Sequence, residues 1–213
     1  MYFDFVLKLS IRGINYKTLD KDMLYTRKGD NGTTKTFRCD QRISKSSTIT
    51  EALGSLDEIN SFLGLCKMKA RPVRNAFSIA DAGGKEKLMI DEIIHDIQKN
   101  LFIVQAELAG ASMSIDEEKV KELEMIVDFV EKELPPIKTF FISGGTELAS
   151  VFDIARTIAR RAERRVIAVA DEGKVEIKLS TKSYLNRLSS VLYAFARLAN
   201  FREGITEQSP DYK

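Results

Sequence analysis

A group of charged side chains between residues 143 and 169 is the part of this sequence best suited to chemistry. Turned at about 100° per residue, as in a helix, the segment places these charges opposite an apolar stripe. Arginine is always protonated and offers a rigid fork of donors, so this side suits a polyphosphate or the carboxylate of a partner subunit. A solvated helix face or a nucleic-acid contact would show the same pattern, and the helix alone does not decide. The group consists of Arg156, Arg160, Glu163 and Arg164, and Arg161 and Arg165 flank the apolar stripe.

A turn near the beginning of the chain could bind phosphate. Gly29 and Gly32 bracket Asp30 and Asn31, with basic residues and hydroxyl groups on both sides. Backbone N–H groups and hydroxyls in such a turn can surround phosphate oxygens. The turn lacks the Gly-Lys-Ser/Thr ending of a Walker loop, and an ordinary β-turn would explain the same residues.

The histidine and the cysteines do not form a metal-binding pattern. His95 is the only histidine and follows Glu92 in a Glu-x-x-His sequence, whereas di-iron helical bundles need a second copy of that sequence. We therefore expect His95 at the surface or at its boundary. Cys39 and Cys66 are too few for a disulfide framework or a structural zinc site.

The charged group needs a helix to position it, and the start of that helix is well marked. Gly144 and Gly145 predict a turn, Thr146 is a suitable N-cap, and Glu147 adds an acidic residue to the first turn. The predicted buried stripe consists of Val151, Ile154, Ile158, Ala162, Val166 and Val169.

Four further stretches carry apolar residues at helical spacing. Between them, residues 42–47 are predicted to form a polar linker, residues 70–85 a loop and residues 139–142 an apolar connector. Five helices without a convincing sheet predict an all-α fold, a five-helix bundle. The four further helices are predicted at 50–69, 87–111, 116–134 and 182–200.

Two glycines lie inside the first of these helices. Gly54 and Gly64 each lower helix propensity by about 1 kcal/mol relative to alanine, and the close approach of another helix or a ligand would explain them. Asp57, Glu58 and Asn60 lie off the apolar stripe, which predicts a solvated face.

Composition limits the class of protein. With 213 residues and 44% hydrophobic content, the chain can form a full core as one domain. A net charge of +2 argues against a dedicated nucleic-acid binder. No apolar run reaches the roughly 18 residues needed to cross a membrane, so we expect a cytoplasmic protein without a membrane partner.

The domain is expected to occupy residues 23–202. Residues 1–22 read as an N-terminal extension, because Met23 is an equally suitable start, and their alternating apolar residues predict a short strand. Residues 203–213 are expected to form a C-terminal tail that frays at its end.

Four segments together resemble the PduO-type ATP:cob(I)alamin adenosyltransferases. They occur in the order found in that family and cover roughly residues 23–200. The segments are Tyr25-Thr-Arg-Lys-Gly-Asp-Asn-Gly-Thr-Thr34, Glu51-Ala-Leu-Gly-Ser-Leu-Asp-Glu-Ile-Asn-Ser61, Ala155-Arg-Thr-Ile-Ala-Arg-Arg-Ala-Glu-Arg-Arg165 and Tyr184-Leu-Asn-Arg-Leu-Ser189.

The resemblance implies a homotrimer of ferritin-like helical bundles with active sites between adjacent subunits. It implies transfer of the 5′-deoxyadenosyl group of ATP to cob(I)alamin, which forms adenosylcobalamin and releases triphosphate. ATP, Mg²⁺ and cob(I)alamin are the expected small molecules. A reductase that supplies Co(I) and an enzyme that accepts adenosylcobalamin are the expected partners.

The resemblance also implies roles for individual residues. Asp57 is the expected acidic partner of Arg156 across the subunit boundary, and both are expected to be catalytic together with Arg160. Phe140 matches the apolar residue that helps to displace the lower axial ligand of the corrinoid. The expected ATP-binding residues are Thr26, Arg27, Lys28, Gly29, Asp30, Gly32, Thr34, Lys45, Arg160, Glu163, Arg164 and Asn186.

Two residues depart from the family pattern, and both are expected near the corrinoid. Ser143 stands where the family commonly has proline, and Asp153 stands where it commonly has histidine. Other interpretations are a different ATP-dependent transferase and a non-catalytic bundle that binds ATP and corrinoid as a sensor or delivery module. A nucleic-acid binder is a more distant alternative.

Overall fold

The computed structural model describes residues 25, 27–36, 41–71, 78–80 and 87–212. The predicted N-terminal strand, Thr26 and Cys39 lie outside these ranges. Within them, five α-helices and four short strands confirm the predicted all-α bundle. The elements are β1 (Thr33–Thr34), β2 (Ile43–Ser44), α1 (Thr48–Ala70), β3 (Ser78–Ala80), β4 (Lys87–Met89), α2 (Ile90–Leu108), α3 (Glu117–Glu133), α4 (Glu147–Asp171) and α5 (Leu179–Arg202).

Helix α4 lies at the centre of the bundle. It packs against α1 on one side and α5 on the other, while α2 packs on α1 and α3 packs on α5. Each helix contributes a buried apolar stripe to one continuous core. Between α4 and α5, the buried rings of Phe152 and Phe195 pack with their centroids 5.4 Å apart.

The helix ends follow the capping residues of the sequence. The Thr146 side chain accepts a hydrogen bond from the Ala149 N–H at 3.0 Å, which confirms Thr146 as the N-cap of α4. Asp116 does the same for Lys119 at the start of α3. Helix α3 ends before the Pro135–Pro136 pair, as expected from the missing N–H groups of proline.

The prediction of α4's buried stripe was partly wrong. Ile154 was expected in the core, yet its side chain is 50% exposed, whereas Phe152 and Ala155 are fully buried. The reason is that α4 packs on two neighbours, α1 and α5, so its buried face is wider than one stripe and is rotated away from Ile154.

One further prediction about the helices needs correction, and the two glycines of α1 have few neighbours within the chain. Asn60 was placed on a solvated face, but it is buried and its amide donates to the Gln98 carbonyl across the α1–α2 contact at 2.9 Å. Gly54 has nothing within 4 Å of the position of an added Cβ, so no helix of the same chain approaches it. Gly64 meets only the end of the Gln98 side chain, at 3.8 Å.

The linker and loop predictions were wrong where short strands pair. Thr33 pairs with Ser44, so the predicted linker 42–47 contains a strand, β2. Strands β3 and β4 pair antiparallel, which puts β3 in the predicted loop and starts α2 at Ile90 rather than at residue 87. Runs of two or three residues carry too little periodicity to distinguish strand from loop or helix, because their pairing depends on a distant segment.

The chain continues beyond α5 without leaving the bundle. Gly204, with a φ of +71°, ends the helix, and the Ile205 N–H bonds back to the Asn200 carbonyl at 2.9 Å. The following residues return past the segment between α3 and α4, where the Ile142 N–H donates to the Gln208 carbonyl at 2.8 Å. Among the described residues, no helix is long and apolar enough to span a membrane.

Candidate active site

A cavity of about 640 Å³ lies between the α3–α4 connector, residues 135–146, and the helices α4 and α5. It brings together three of the four predicted catalytic residues, Phe140, Arg156 and Arg160. The connector contributes apolar side chains together with Lys138, Thr139 and Ser143, and α4 contributes the two arginines. The lining residues are Ile137, Lys138, Thr139, Phe140, Phe141, Ser143, Arg156, Arg160, Ser189, Ser190 and Tyr193.

The two phenylalanines of the connector have different surroundings. The side chain of Phe140 is 80% exposed at the cavity, so this residue is not part of the hydrophobic core. Phe141 is half-buried and lies 5.2 Å from the guanidinium carbon of Arg197, measured to the ring centroid. An exposed aromatic ring beside a cavity is costly in water, and a ligand with an apolar face would cover it.

The Gly144–Gly145 turn fixes the end of the connector. An added Cβ on Gly145 would lie 2.3 Å from the Asn200 Oδ1 atom, so glycine is required for this close approach. The Asn200 side chain accepts from the Thr146 N–H at 2.9 Å and donates to the Gly144 carbonyl at 2.8 Å. Asn200 was not predicted from the sequence, because its partners are more than fifty residues away.

Asp153, one of the two departures from the family pattern, supports the same turn. Its carboxylate is buried and accepts from the Gly144 N–H at 3.0 Å. Its other oxygen lies 3.6 Å from the Arg156 Nε atom. Asp153 therefore links the turn to a guanidinium group of the cavity. Ser143, the other departure, lines the cavity itself.

Arg156 points into a partly closed environment. Its Nε atom is buried without a hydrogen-bond partner, and its guanidinium lies 5.8 Å from the centroid of the Tyr193 ring. Burial raises the pKa of the Tyr193 phenol above its usual value. A buried donor without a partner is costly, which favours an additional acceptor for Arg156.

The predicted nucleotide-binding side of α4 continues from the cavity. Arg160 and Arg164 are exposed, and the Asn186 amide of α5 donates to the Glu163 carboxylate at 3.1 Å. Arg187, which was not predicted, donates to the Asn186 side-chain oxygen at 2.7 Å and so orients it. In contrast, Arg161 pairs with Glu58 and connects α4 to α1.

The glycine-containing turn has an unusual backbone conformation at two residues. Residues 27–32 form turns, and Arg27 has a φ of +58°, which is uncommon for a residue with a side chain. Gly32 also has a positive φ, of +77°. Strained backbone of this kind persists where the surrounding structure holds it, and often at ligand-binding sites.

One arginine of the predicted linker holds this loop together. Arg42 donates to the carbonyl and the hydroxyl of Thr33, at 2.7 and 2.6 Å, and also to the carbonyl of Lys28. The ammonium group of Lys45 would lie 3.0 Å from an added Cβ on Gly29, so Lys45 reaches over the turn. Two of the predicted ATP-binding groups, the turn and Lys45, are therefore adjacent.

The loop and the cavity lie at different ends of α4. Thr48, which follows the loop and β2, donates its hydroxyl to Glu172 at the C-terminal end of α4. Sixteen residues of helix, or about 24 Å, separate Glu172 from Arg156. Asp57 is exposed on α1 and does not line the cavity. A single chain thus does not bring together all the predicted site residues.

His95 and Cys66 do not line the cavity. His95 is exposed, as expected, and its Nδ1 atom lies 3.3 Å from the ammonium group of Lys67. Burial raises the pKa of the Cys66 thiol to about 12. In the part of the chain that the structure describes, no three histidine, cysteine or carboxylate side chains are grouped to hold a metal ion.

Comparison with known proteins identifies relatives of this chain. The family model described as cobalamin adenosyltransferase matches residues 24–199. The corrinoid adenosyltransferase PduO of Salmonella typhimurium is 38% identical over 181 residues, which cover 82% of this chain and 48% of the relative. The corrinoid adenosyltransferase of Bacillus subtilis is 39% identical over 186 residues, which cover 85% of this chain and 89% of the relative.

A solved structure is also similar. A variant PduO-type ATP:corrinoid adenosyltransferase from Lactobacillus reuteri, complexed with cobalamin and ATP, superposes with a TM-score of 0.74 at 28% identity. The match covers 88% of this chain and 99% of that one. The chain spans about half the length of the Salmonella typhimurium and Citrobacter freundii PduO relatives. These matches confirm the resemblance seen in the sequence, and the chain belongs to the cobalamin adenosyltransferase family.

Proposed function

We propose that this chain transfers the 5′-deoxyadenosyl group of ATP to the Co(I) centre of a corrinoid, forming adenosylcobalamin and releasing triphosphate. The observation that carries the proposal is the cavity of about 640 Å³ that the exposed Phe140 lines together with Arg156 and Arg160. An apolar wall next to fixed positive charge suits a large ligand with an apolar face and a second substrate that carries phosphates. The Lactobacillus reuteri neighbour, which is complexed with cobalamin and ATP, supports the same pairing.

The chemistry fits a site without a nucleophilic side chain. Cob(I)alamin is itself a strong nucleophile: its cobalt forms a bond to C5′ with a metal electron pair, and the bond from C5′ to the triphosphate oxygen breaks. The triphosphate leaves with the electrons of that bond, and the cobalt becomes formally Co(III). The protein must hold C5′ in line with cobalt and stabilise the charge that gathers on the leaving group.

The groups that could stabilise this charge are the exposed arginines of α4 and the loop. Arg160 and Arg164 are exposed and face outward with Glu163 and Asn186, which suits a nucleotide. The turn at residues 27–32, with Lys45 against Gly29, offers N–H groups and an ammonium group to phosphate oxygens. Mg²⁺ is expected to arrive with the triphosphate, because it keeps several waters and prefers substrate phosphates to a protein cage.

The role proposed for Phe140 follows from its exposure. A corrinoid that keeps its lower axial ligand is harder to reduce to Co(I), because the ligand donates electron density to cobalt. An aromatic ring in the place of that ligand would leave cobalt four-coordinate and keep water away from it. Phe140 is the most exposed apolar side chain of the cavity wall, and so it is the residue proposed to do this.

The distance between the loop and the cavity supports a homotrimer with sites between subunits. A neighbouring subunit could bring its loop to the Arg156–Arg164 side of α4, which a loop at the far end of the same helix does not reach. The exposed surface of α1 around Gly54 and Asp57 is open in the single chain, and the buried Nε atom of Arg156, 3.6 Å from Asp153, makes no hydrogen bond. We infer that Asp57 of one subunit pairs with Arg156 of the next.

Sedimentation of Asp57→Ala tests the assembly. Removing one partner of a buried ion pair typically costs roughly 3–5 kcal/mol, so the trimer should dissociate at concentrations where the unsubstituted protein stays assembled. Glu51→Ala is the control, because Glu51 is another exposed acid on the same helix. An unchanged sedimentation profile for Asp57→Ala would count against the intersubunit pair.

An anaerobic assay tests the reaction itself. The protein is mixed with ATP, Mg²⁺ and chemically reduced cobalamin, and the spectral change from Co(I) to the alkylcobalt product is followed. We expect adenosylcobalamin from the unsubstituted protein and little from Arg160→Ala. Arg165→Ala is the matched control, since Arg165 is exposed on the same helix and does not line the cavity.

Each result of the assay has a meaning. Product that is lost only in Arg160→Ala supports the transferase and the role of this guanidinium. ATP binding without any product would contradict the transferase and favour a sensor or delivery module. If the transferase is right, a reductase must supply Co(I), and an enzyme that uses adenosylcobalamin must receive the product.

A further inference from the structure

A buried arginine at the end of α5 contacts the connector that carries Phe140. The side chain of Arg197 is only 5% exposed. Its Nη2 atom donates to the Pro135 carbonyl at 3.1 Å, where the connector begins. Its guanidinium lies 5.2 Å from the centroid of the Phe141 ring, next in sequence to Phe140. Arg197 therefore holds the connector at its start and beside its functional residue.

The C-terminal segment, residues 203–212, supplies the charge that Arg197 needs. The Glu207 carboxylate accepts from the Arg197 Nε atom at 2.9 Å, and the Glu207 side chain is itself mostly buried. The guanidinium group of arginine does not lose its proton in proteins, so a buried arginine must be paired to keep its position. One residue further on, the Gln208 carbonyl accepts from the Ile142 N–H at 2.8 Å.

These contacts fix the connector on both sides of Phe140. Arg197 and the C-terminal segment hold Pro135, Phe141 and Ile142, and Asn200 holds Gly144 at the start of α4. The ring of Phe140 is left exposed between the fixed points. Since an apolar contact has no direction of its own, the position of this ring depends on the backbone that carries it.

We propose that Arg197 and Glu207 are positioning residues for the corrinoid side of the site, through which the C-terminal segment sets the place of Phe140. The inference rests on the proposed function, because the place of Phe140 matters for catalysis only if a corrinoid enters the cavity. Neither residue lines the main cavity, so their effect on the reaction passes through the connector.

The test compares Glu207→Gln with the unsubstituted protein. We expect kcat/KM for cob(I)alamin to fall roughly 10- to 100-fold, as is usual when a reacting group is displaced by about 1 Å. The Kd for ATP should change less than about twofold, since ATP is expected at the α4 arginines and the loop. With cob(II)alamin and ATP bound, the spectral signature of four-coordinate cobalt should decrease in Glu207→Gln.

Glu133→Gln is the matched control. Glu133 pairs with Arg202, also at the end of α5, and the Nη2–Oε2 distance of 2.9 Å equals the distance between Arg197 Nε and Glu207. This pair joins α5 to the end of α3 rather than to the connector. We expect Glu133→Gln to leave kcat/KM for both substrates and the cobalt spectrum within about twofold of the unsubstituted protein.

A double variant keeps the test decisive if Glu207→Gln fails to fold. Arg197→Met with Glu207→Gln removes both charges, so no buried charge is left unpaired. Loss of the corrinoid step in this variant, with ATP affinity retained, supports the proposal. Unchanged corrinoid kinetics and an unchanged cobalt spectrum, or equal losses for ATP and corrinoid, would overturn it.

Failure of the proposed function would be visible separately. If the unsubstituted protein forms no adenosylcobalamin, the transferase is wrong, whatever the variants do. Hydrogen exchange of the Ile142 amide, whose acceptor is the Gln208 carbonyl, then still tests the clamp on the connector. Faster exchange in Glu207→Gln than in Glu133→Gln supports the clamp, and equal exchange contradicts it.

Discussion

The loop at residues 27–34 and the connector at residues 135–146 are held in opposite ways. The loop is supported by nearby residues, chiefly Arg42 and the Asn31 side chain, which accepts from the Thr33 N–H and hydroxyl. The connector is supported by residues that are distant in sequence, from α4, α5 and the C-terminal segment. The phosphate proposed at the loop would be oriented by directional hydrogen bonds, whereas the corrinoid contact proposed for Phe140 would have no direction of its own. The apolar side of the site therefore needs the more extensive support.

The largest expected effect is on the stability of the connector. In Gly145→Ala, the new Cβ would lie 2.3 Å from the Asn200 Oδ1 atom, and the residue would keep a φ of +107°. Asn200 cannot retreat without losing its bonds to Thr146 and Gly144, so we expect the free energy of unfolding to fall by about 2–4 kcal/mol. Urea denaturation measures this loss.

Gly32→Ala provides the comparison within the loop. Gly32 has a φ of +77°, but nothing lies within 4 Å of an added Cβ. Only the backbone conformation is penalised, and we expect a loss of about 1 kcal/mol. Equal losses for the two variants would contradict the difference in support between the loop and the connector.

The next-largest effect is expected on the corrinoid step but not on ATP binding. Phe140→Ala should lower the rate of adenosyl transfer roughly 100-fold, because the corrinoid loses the ring that would displace its lower ligand. ATP affinity and the free energy of unfolding should hardly change, since the side chain is exposed. Rate and ATP-binding measurements check this, and an equal loss of both would contradict the role given to Phe140. Phe102→Ala, which removes an exposed ring of α2, is the control.

A substitution that loosens the loop should affect ATP more than the corrinoid, and its effect should be smaller than that of Phe140→Ala. Arg42→Met removes the bonds to Lys28 and Thr33 and should raise the KM for ATP about tenfold, with less than a twofold change for cob(I)alamin. Arg71→Met, which breaks an exposed pair with Asp91 on another part of the surface, is the control. A larger change in the KM for cob(I)alamin than in the KM for ATP would contradict the assignment of the loop to ATP and of the connector to the corrinoid.

The smallest effect is expected in the hydrophobic core. The core belongs to neither the loop nor the connector and so serves as a reference for both. Burial raises the pKa of Cys66 to about 12, so at alkaline pH the folded chain keeps a proton that the unfolded chain loses. Below about pH 8.5 this contribution to stability is fully present, and it is lost as the pH rises towards 12. Between pH 8 and 10, the free energy of unfolding should fall more for the unsubstituted protein than for Cys66→Ala, by on the order of 1 kcal/mol. Parallel pH profiles would contradict the raised pKa.

The sequence was most informative where structure is periodic or local. The five helices, the Thr146 cap and the turn at residues 27–32 follow from spacing, capping and glycine, which act between near neighbours. The arginines of α4 were recognised because one helix face collects them. The assignment of particular roles to Phe140 and Asn186 came from the family motifs rather than from the pattern.

Other features depend on distant partners and could not be read from one sequence. Arg42 looked like part of a linker, and Asn200 and Glu207 looked like ordinary polar residues at the end of a helix and in a tail. Their importance comes from backbone groups that folding brings beside them. The exposure of Ile154 similarly reflects the way α4 packs between two helices, which one periodic stripe does not encode.

Because both ends of the connector are fixed by the bundle, side chains in its middle can be exchanged without changing its backbone. Since Pro135 and Gly144 are held by α5, the distance that the backbone must cover is set by the bundle, and a change in loop length would break those bonds. The side chains of Ile137, Lys138 and Thr139 line the cavity and take no part in these bonds. A protein engineer who wishes to admit a corrinoid of another shape could exchange these three residues, keep Phe140 and leave every helix as it is.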